Sequence, residues 1–560
     1  MYRSLIILFF VSLFTANEAS AALLPDAGQL LKENTPQSTL LPQQAMPPFQ
    51  KKVKPEEHVQ GMARIKVSGF IFTGNTLFSS SELAALMSGF IGKEMTLGEL
   101  NDAAAAITNK YREKGCFLAS VFFPPQSIKP GMPLIIEVIE GILENIHIET
   151  VPDKTRTPAA LMQGYASHLQ TGKPVEDAAL TSMIMKTNEL PNISSRIMLE
   201  PGLSPGTTQA TFTVTEGKPC SFSLDMDNYG NEATGDNRAG CTIELYSPLH
   251  LGDQFSTHVQ SSATGELQNL RANYSVPVMS YGTKIGLDYN FVTYHLGGSF
   301  KALNAGGVAH DLSIALTHPL VRQRTLILNA TAAGEGRVLD DRTESPQSSN
   351  QRRTTSWQLG LAGIQMDRVP GSGTTSFSLG LAAGSLHLTD AETLALDQSS
   401  TGLHTNGRYT KLNLSLARTQ SISHEFSIYA GAYGQWCDKN LNSSEQLSMG
   451  GPSAIRACQP GESYADKGIV TTAELRCQFG AIGDLPGRVQ ASAFIDHGNA
   501  LLHNNPLPYS GPNTCNLTGA GVGIKWQDAE SSTLQATCAW KVNGETTRSP
   551  MIYIQAVKRL

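Results

Sequence analysis

The segment GGPSAIRACQPGESYADKG, residues 450–468, is built mostly from glycine, proline and small residues, and it carries one arginine, Arg456. No acidic residue stands within five positions of it. Further along, AFIDHGNA sets Asp496 on a strand-like run. A guanidinium fork can bond a carboxylate bidentately and stays charged, so the chemistry open to this pair is a strong fixed attachment. His497, beside Asp496, suggests acid–base work, but a strand histidine next to a loop partner is more often structural. No GxSxG, HExxH or Walker A segment occurs. The eight cysteines, at 116, 220, 241, 437, 458, 477, 515 and 538, contain no CxxC spacing. No metal site and no cofactor is therefore expected, and one or two disulfides are open without an assignment. These residues point away from an enzyme.

The chain opens MYRSLIILFFVSLFTANEASAA, with Arg3, an apolar run from Leu5 to Phe14 and a small-residue stretch Ala19-Ser20-Ala21. This reads as a secretory signal peptide over residues 1–21, the apolar run being shorter than a helical span needs. No long apolar run follows it. Charged residues are 16%, below the roughly 25% of ordinary soluble domains, and the chain holds 51 glycines. That profile fits a β-rich secreted protein. A formal charge of -6 gives no footprint for nucleic acid.

Three regions follow. Residues 22–62 hold a short helix candidate, PDAGQLLKEN, then a proline- and glutamine-rich linker. Residues 63–140 and 141–216 look like two small α/β units in tandem. In the first, RIKVSGFIF is strand-like; Ser79 with Glu82 and Thr96 with Glu99 form capping boxes. Leu97, Leu100, Ala104, Ile107 and Tyr111 then share one helical face, and FLASVFFPP and MPLIIEVIEG are strands, giving β-α-α-β-β. The second unit repeats this order more faintly, with ILENIHIE, one helix in PVEDAALTSMIMKTNEL, and the strands SRIMLEPG and QATFTVTEG.

From residue 217 to 560 the helical period gives way to alternation. In KIGLDYNF, Ile285, Leu287, Tyr289 and Phe291 share one parity; Leu379 and Leu381, and Leu412, Leu414 and Leu416, repeat the pattern. A soluble sandwich also alternates, but the length of this region and polar connections such as DDRTESPQSSNQRRTTS favour a transmembrane antiparallel barrel of about sixteen strands. Parity puts Glu474 and Arg476 on the inner face of IVTTAELRCQF, Phe494 and Asp496 on that of VQASAFID, and Asp225 and Asp227 on that of FSLDMD. The lumen near these strands reads as acidic. A loop folding back into it would carry Arg456 to such carboxylates; a solvated arginine on an extracellular loop is the other reading of the same spacing.

The order of these features resembles that of the outer-membrane transporters of two-partner secretion, the hemolysin secretion/activation family of POTRA-plus-barrel translocators. DAGQLLKEN is similar to the family's plug helix and the two α/β units to its POTRA domains. DNYGNEATGDNRAG followed by SPLHLGDQ resembles the barrel opening; YSVPV and THPLVR resemble strand landmarks. GGPSAIRACQPGE…DKG is similar to the family's in-folded loop, with Gly450 and Gly451 at its start, and FIDHG, with Phe494 and Gly498, to its FxDxG strand. The resemblance implies that Arg456 sits at the loop tip and pairs with Asp496. Glu474 and Asp225 are secondary lumen partners on parity alone. The chain departs from the pattern at Ala457 and Cys458, at Ser247 before Pro248, at Asn192, and at Leu560, where such barrels usually end in an aromatic.

The implied function is recognition of an unfolded exoprotein of hemolysin or adhesin type in the periplasm, by its N-terminal secretion domain, and its export and activation through the barrel without ATP. The implied place is the Gram-negative outer membrane, with the POTRA domains in the periplasm. Outer-membrane lipid, periplasmic chaperones and the barrel assembly machinery are further expected partners. An assembly factor for other barrels is the alternative reading, and a porin-like channel the next.

Overall fold

In a computed structural model of the chain, each capping box starts a helix. The structure describes residues 25–35 and 64–560, apart from 130, 151–154, 279, 345–346, 370, 481–485, 507–511, 529–530 and 544–548. The signal peptide and the proline-rich linker lie outside the described residues. The Ser79 hydroxyl accepts from Glu82 N and the Glu82 carboxylate accepts from Ser79 N, opening helix Ser80–Met87. Thr96 and Glu99 do the same for Leu97–Glu113. That helix buries Leu100, Ala103, Ala104, Ile107 and Tyr111. Leu97, on the expected stripe but in the first turn, stays 37% exposed. A fully buried leucine or isoleucine contributes about 1.5–3 kcal/mol, so this face anchors the unit.

RIKVSGFIF, expected as one strand, splits in two. Ile65–Lys66 pairs with Glu94–Met95, while Phe70–Thr73 runs parallel to Leu134–Ile139, whose other edge holds Ser120–Phe122. Val67, between the pieces, turns into a small cluster with Met95, Leu100 and Leu134. The second unit has the helix that its sequence failed to announce, Ala159–Ala166, so in both units the three-stranded sheet and its two helices follow the order β-α-α-β-β, the first unit adding the small Ile65–Lys66 and Glu94–Met95 pair. Pro158 caps that helix and supplies no side-chain acceptor, which removed the capping signal. Its three-stranded sheet sets Thr207–Glu216 between Ile142–Thr150 and Ile193–Pro201. Asn192 takes a left-handed φ of 52°, the conformation a glycine would take at that turn.

Sixteen antiparallel strands, from Cys220–Asp227 to Met551–Arg559, close into a barrel. The alternating leucines and isoleucines, among them Leu287, Leu379, Leu381, Leu414 and Leu416, point outward and are exposed, as a lipid-facing wall requires. No described helix is long and apolar enough to cross a membrane. Residues 340–344 and 347–356 of DDRTESPQSSNQRRTTS are strand, not loop. They belong to strands Leu326–Glu344 and Gln347–Asp367, paired from Leu326↔Gln365 to Glu344↔Gln347. The ladder needs only backbone groups, so it runs on through polar side chains where the apolar pattern stops.

The turn at the other end of strand Leu326–Glu344 meets the second α/β unit. Arg322 forks onto Glu189, Arg324 onto Asp177, and Lys284 Nζ donates to the Glu189 carbonyl at 2.7 Å. These bonds fix which rim faces the two α/β units.

In the first unit Glu140 is buried, accepting from Thr76 N at 2.7 Å, Leu77 N at 2.9 Å and the Tyr111 hydroxyl at 2.8 Å. Burial alone would raise this carboxyl; the amides of Leu77 and Thr76 and the hydroxyls of Thr76 and Tyr111 outweigh it and hold it below its ordinary value. A depressed carboxyl stabilises the fold above the unfolded value of about 4.5, and the contribution is lost as pH falls through the folded value. Glu140→Gln is expected to cost about 2–3 kcal/mol of local stability at pH 7 and much less at pH 3, read as amide exchange in residues 70–139 of the full chain.

Candidate functional site

Strand Phe426–Cys437 ends at the rim away from the α/β units, and strand Lys467–Phe479 is the next in the wall. The residues between them, 438–466, fold back into the lumen. A two-residue ribbon, Leu447–Ser448 with Tyr464–Ala465, gives the segment two legs. Asp466, fully buried at its foot, accepts from Leu441 N at 3.0 Å, Gln446 Nε2 at 2.9 Å and Asn504 N at 2.9 Å. The sequence reading missed this anchor, although it lies in the quoted DKG. A lone aspartate before a strand carries no spacing signal, because its three donors come from other stretches.

Met449, Ile455 and Cys458 are buried against the wall residues Val470, Ala500 and Leu517. At the tip Gly451 has a φ of +112°, open to glycine and strained for other residues, and a Cβ on Gly450 would stand 2.1 Å from the Gln459 carbonyl oxygen. The wall is smooth where the segment presses on it. A Cβ on Gly498 would meet Met449 Cε at 2.5 Å, and one on Gly519 would meet Ala457 Cβ at 2.4 Å.

Arg456 lies at this tip. Its Nε donates to Asp496 Oδ2 and its Nη2 to Asp496 Oδ1, both at 2.9 Å, and its Nη1 donates to Glu474 Oε2 at 2.9 Å. Its backbone N–H adds a bond to Asp496 Oδ2 at 3.1 Å, and the Thr472 hydroxyl donates to Asp496 Oδ1 at 2.9 Å. The guanidinium carbon sits 3.3 Å from the centre of the Phe494 ring. The four wall residues form a square: Thr472 pairs with Asp496 and Glu474 with Phe494 across neighbouring strands. Arg476 Nε braces Glu474 from behind at 3.0 Å. Ala457 fits against Gly519, and the Cys458 carbonyl accepts from the buried Tyr553 hydroxyl at 2.6 Å.

Asp225 is not part of this cluster. Its strand is the first of the barrel, and its carboxylate faces His258, 3.2 Å away. Asp227 holds Arg238 at 2.8 Å. The lumen is also not simply acidic: Arg337 and Lys411 both bind Glu445, and Arg352 binds Asp341.

Helix Ala27–Glu33 lies in the same lumen. Ala27, Leu30 and Leu31 pack on Leu267, Val292, Tyr294 and Leu339 of the wall. Its N-cap Asp26 accepts from Arg352 Nη1 at 2.9 Å and from the Ser443 hydroxyl of the returning segment at 2.6 Å, and the Tyr464 hydroxyl donates to Glu33. A Cβ on Gly28 would stand 2.9 Å from that of Ser444. Helix, segment and wall together enclose a cavity of about 490 Å³.

Residues 206–526 match the family described as haemolysin secretion/activation protein ShlB/FhaC/HecB, and residues 65–141 match the ShlB-type POTRA domain. The chain belongs to this haemolysin secretion/activation family. Among its relatives is the heme/hemopexin transporter protein HuxB of Haemophilus influenzae, 26% identical over 91% of this chain and 88% of that one. The outer membrane transporter CdiB of Dickeya dadantii is 24% identical over 84% and 82%. The solved structure of CdiB from Escherichia coli superposes with a TM-score of 0.71 at 20% identity, covering 95% of both chains, a likeness that speaks for the fold alone. The protein is thus an outer-membrane transporter of two-partner secretion, with its POTRA region in the periplasm.

In this transporter the Arg456 side chain keeps only 13% exposure and that of Asp496 none. Removing one partner from a desolvated pair costs roughly 3–5 kcal/mol, and about 2–3 is expected in a lumen that water reaches. Arg456→Ala and Asp496→Asn are each expected to raise amide exchange in residues 449–465 by that amount, and the double variant to fall well short of the sum. Gly519→Val, which drives a side chain into Ala457, is expected to free the tip while the barrel still assembles.

Proposed function

We propose that the protein exports an unfolded partner exoprotein of hemolysin or adhesin type, and that the cluster at Arg456 latches the closed state of the pore. The single observation that supports this reading is the filling of the lumen. Two separate elements block it, and polar bonds to the wall and to each other tie both in place. Such bonds can be exchanged for bonds to water or to a passing chain at a net cost of about 1.5–3 kcal/mol each, so the plug can yield without unfolding the barrel.

On this reading residues 1–21 are a removed signal peptide, 22–62 the plug helix and its tether, 63–140 and 141–216 the two POTRA units, and 217–560 the barrel. The exoprotein's N-terminal secretion domain adds a strand to an exposed sheet edge of the POTRA pair, where Phe70–Thr73 and Ile142–Thr150 are edge strands. The extended chain then passes through the barrel. Folding outside, worth about 5–15 kcal/mol per domain, prevents its return, and no ATP is used. Periplasmic chaperones keep the exoprotein unfolded, and the barrel assembly machinery inserts the transporter into outer-membrane lipid. The protein catalyses no reaction on its cargo.

Arg456→Ala is expected to leave a heat-modifiable, assembled barrel and to lower secretion of the partner severalfold, measured as exoprotein in the medium against that in the periplasm. Normal secretion by an assembled variant would refute the latch. Deletion of the transporter is expected to abolish export of that one protein and leave other outer-membrane barrels at their usual level.

A further inference from the structure

The outer face of the barrel carries a cluster of basic side chains without acidic partners among the described residues. Three neighbouring strands, Gln347–Asp367, Gly373–Leu388 and Gly407–Ser421, present exposed Leu359 and Leu361, Leu379 and Leu381, and Leu412 and Leu414 to the outside. Going up strand Gln347–Asp367, away from the POTRA units, this apolar surface ends at Trp357, the residue type that marks a membrane interface. Two outward positions above it stands Arg353. Its direct cross-strand partner is His387, and on the next strand Arg408 pairs with Ser385, one outward position below His387. All three side chains are exposed. None of them has a hydrogen-bond, ion-pair or ring partner among the described residues.

The flanking carboxylates Asp340 and Asp438 bond none of the three. Asp340 holds Arg342 at 2.7 Å and Gln351 at 3.4 Å, and Asp438 accepts from Thr410 N at 2.9 Å. Direct partners on one face lie about 5 Å apart and diagonal ones about 7–8 Å, so the two guanidinium groups and the His387 ring can converge on one small anion. Four residues of strand span about 13 Å, or about 10 Å of height at a tilt near 40°, which lifts Arg353 from the Trp357 interface into the headgroup layer.

We propose that Arg353, His387 and Arg408 bind the phosphate of a phosphorylated glycolipid of the outer leaflet, with its acyl chains lying along the leucine surface below Trp357. Arginine forks suit a phosphate, whose oxygens accept several charge-assisted bonds in one plane. The apolar surface directly beneath selects an anion that carries hydrocarbon over a free one.

The test uses the full chain in nanodiscs of phosphatidylcholine containing bisphosphorylated lipid A, dephosphorylated lipid A or phosphatidylglycerol, with bound lipid counted by native mass spectrometry. The unaltered protein is expected to retain bisphosphorylated lipid A about tenfold over the other two. Arg353→Gln with Arg408→Gln is expected to lose that preference, and Arg353→Lys with Arg408→Lys to keep part of it. Lys558→Gln, at an exposed cation near the opposite rim bonded to Ser531, is expected to change nothing. Equal retention of dephosphorylated lipid A or of phosphatidylglycerol by the unaltered protein would overturn the proposal without recourse to any variant. Full retention by the double glutamine variant would overturn it as well.

Discussion

A guanidinium drawn into the hollow of a barrel is stable only if carboxylates, a stacking surface and room for the backbone meet at one point. Arg456 finds all three on two adjacent strands. Asp496 takes it bidentately, Glu474 takes the remaining nitrogen, and the Phe494 ring underlies it. The desolvation of an ion pair can exceed its Coulombic gain, and what tips the balance here is the number of additional bonds. The Arg456 amide, the Thr472 hydroxyl and Arg476 satisfy the remaining lone pairs of the two carboxylates. The rest of the returning segment is arranged to deliver this one side chain, with Asp466 holding its foot and glycines clearing its path along the wall.

The same lumen shows how a plug can be firm and yet removable. An apolar plug would leave a greasy channel behind when it withdrew, at about 25 cal/mol for each Å² exposed. Here the lumen helix presents only Ala27, Leu30 and Leu31 to an apolar part of the wall, and polar contacts make up the rest of its attachment. Asp26 and Ser443 join the helix to the returning segment, and Arg352 joins that pair to the barrel. The two blocking elements therefore share an anchor, and a disturbance at one is felt by the other through bonds already drawn.

Much of this could be read from residue order alone. Period-two alternation assigned inward and outward faces in strands such as Lys467–Phe479 and Arg488–Leu501, because a pleated strand fixes the direction of every second side chain. The capping boxes at Ser79 and Thr96 marked helix starts because their bonds close within four residues. Where a local signal was absent the reading failed. Pro158 gave no cap, so a helix went unseen, and the polar stretch 340–356 looked like a loop because a hydrogen-bond ladder leaves no mark on side-chain polarity.

The sequence by itself determined which residues face the lumen, that a barrel of about sixteen strands follows two α/β units, and that a glycine-rich segment carries one stranded arginine. These are properties of local period and composition. Only the tertiary structure decided which carboxylates that arginine meets. Parity admitted Asp225 as readily as Glu474, and closure of the cylinder separated them, placing Asp225 beside His258 and Glu474 opposite Phe494. It also decided that Asp466 anchors the returning segment and that Ser443 touches Asp26. The partners of both are distant in sequence, and no spacing rule relates residues that only the closed ring brings together.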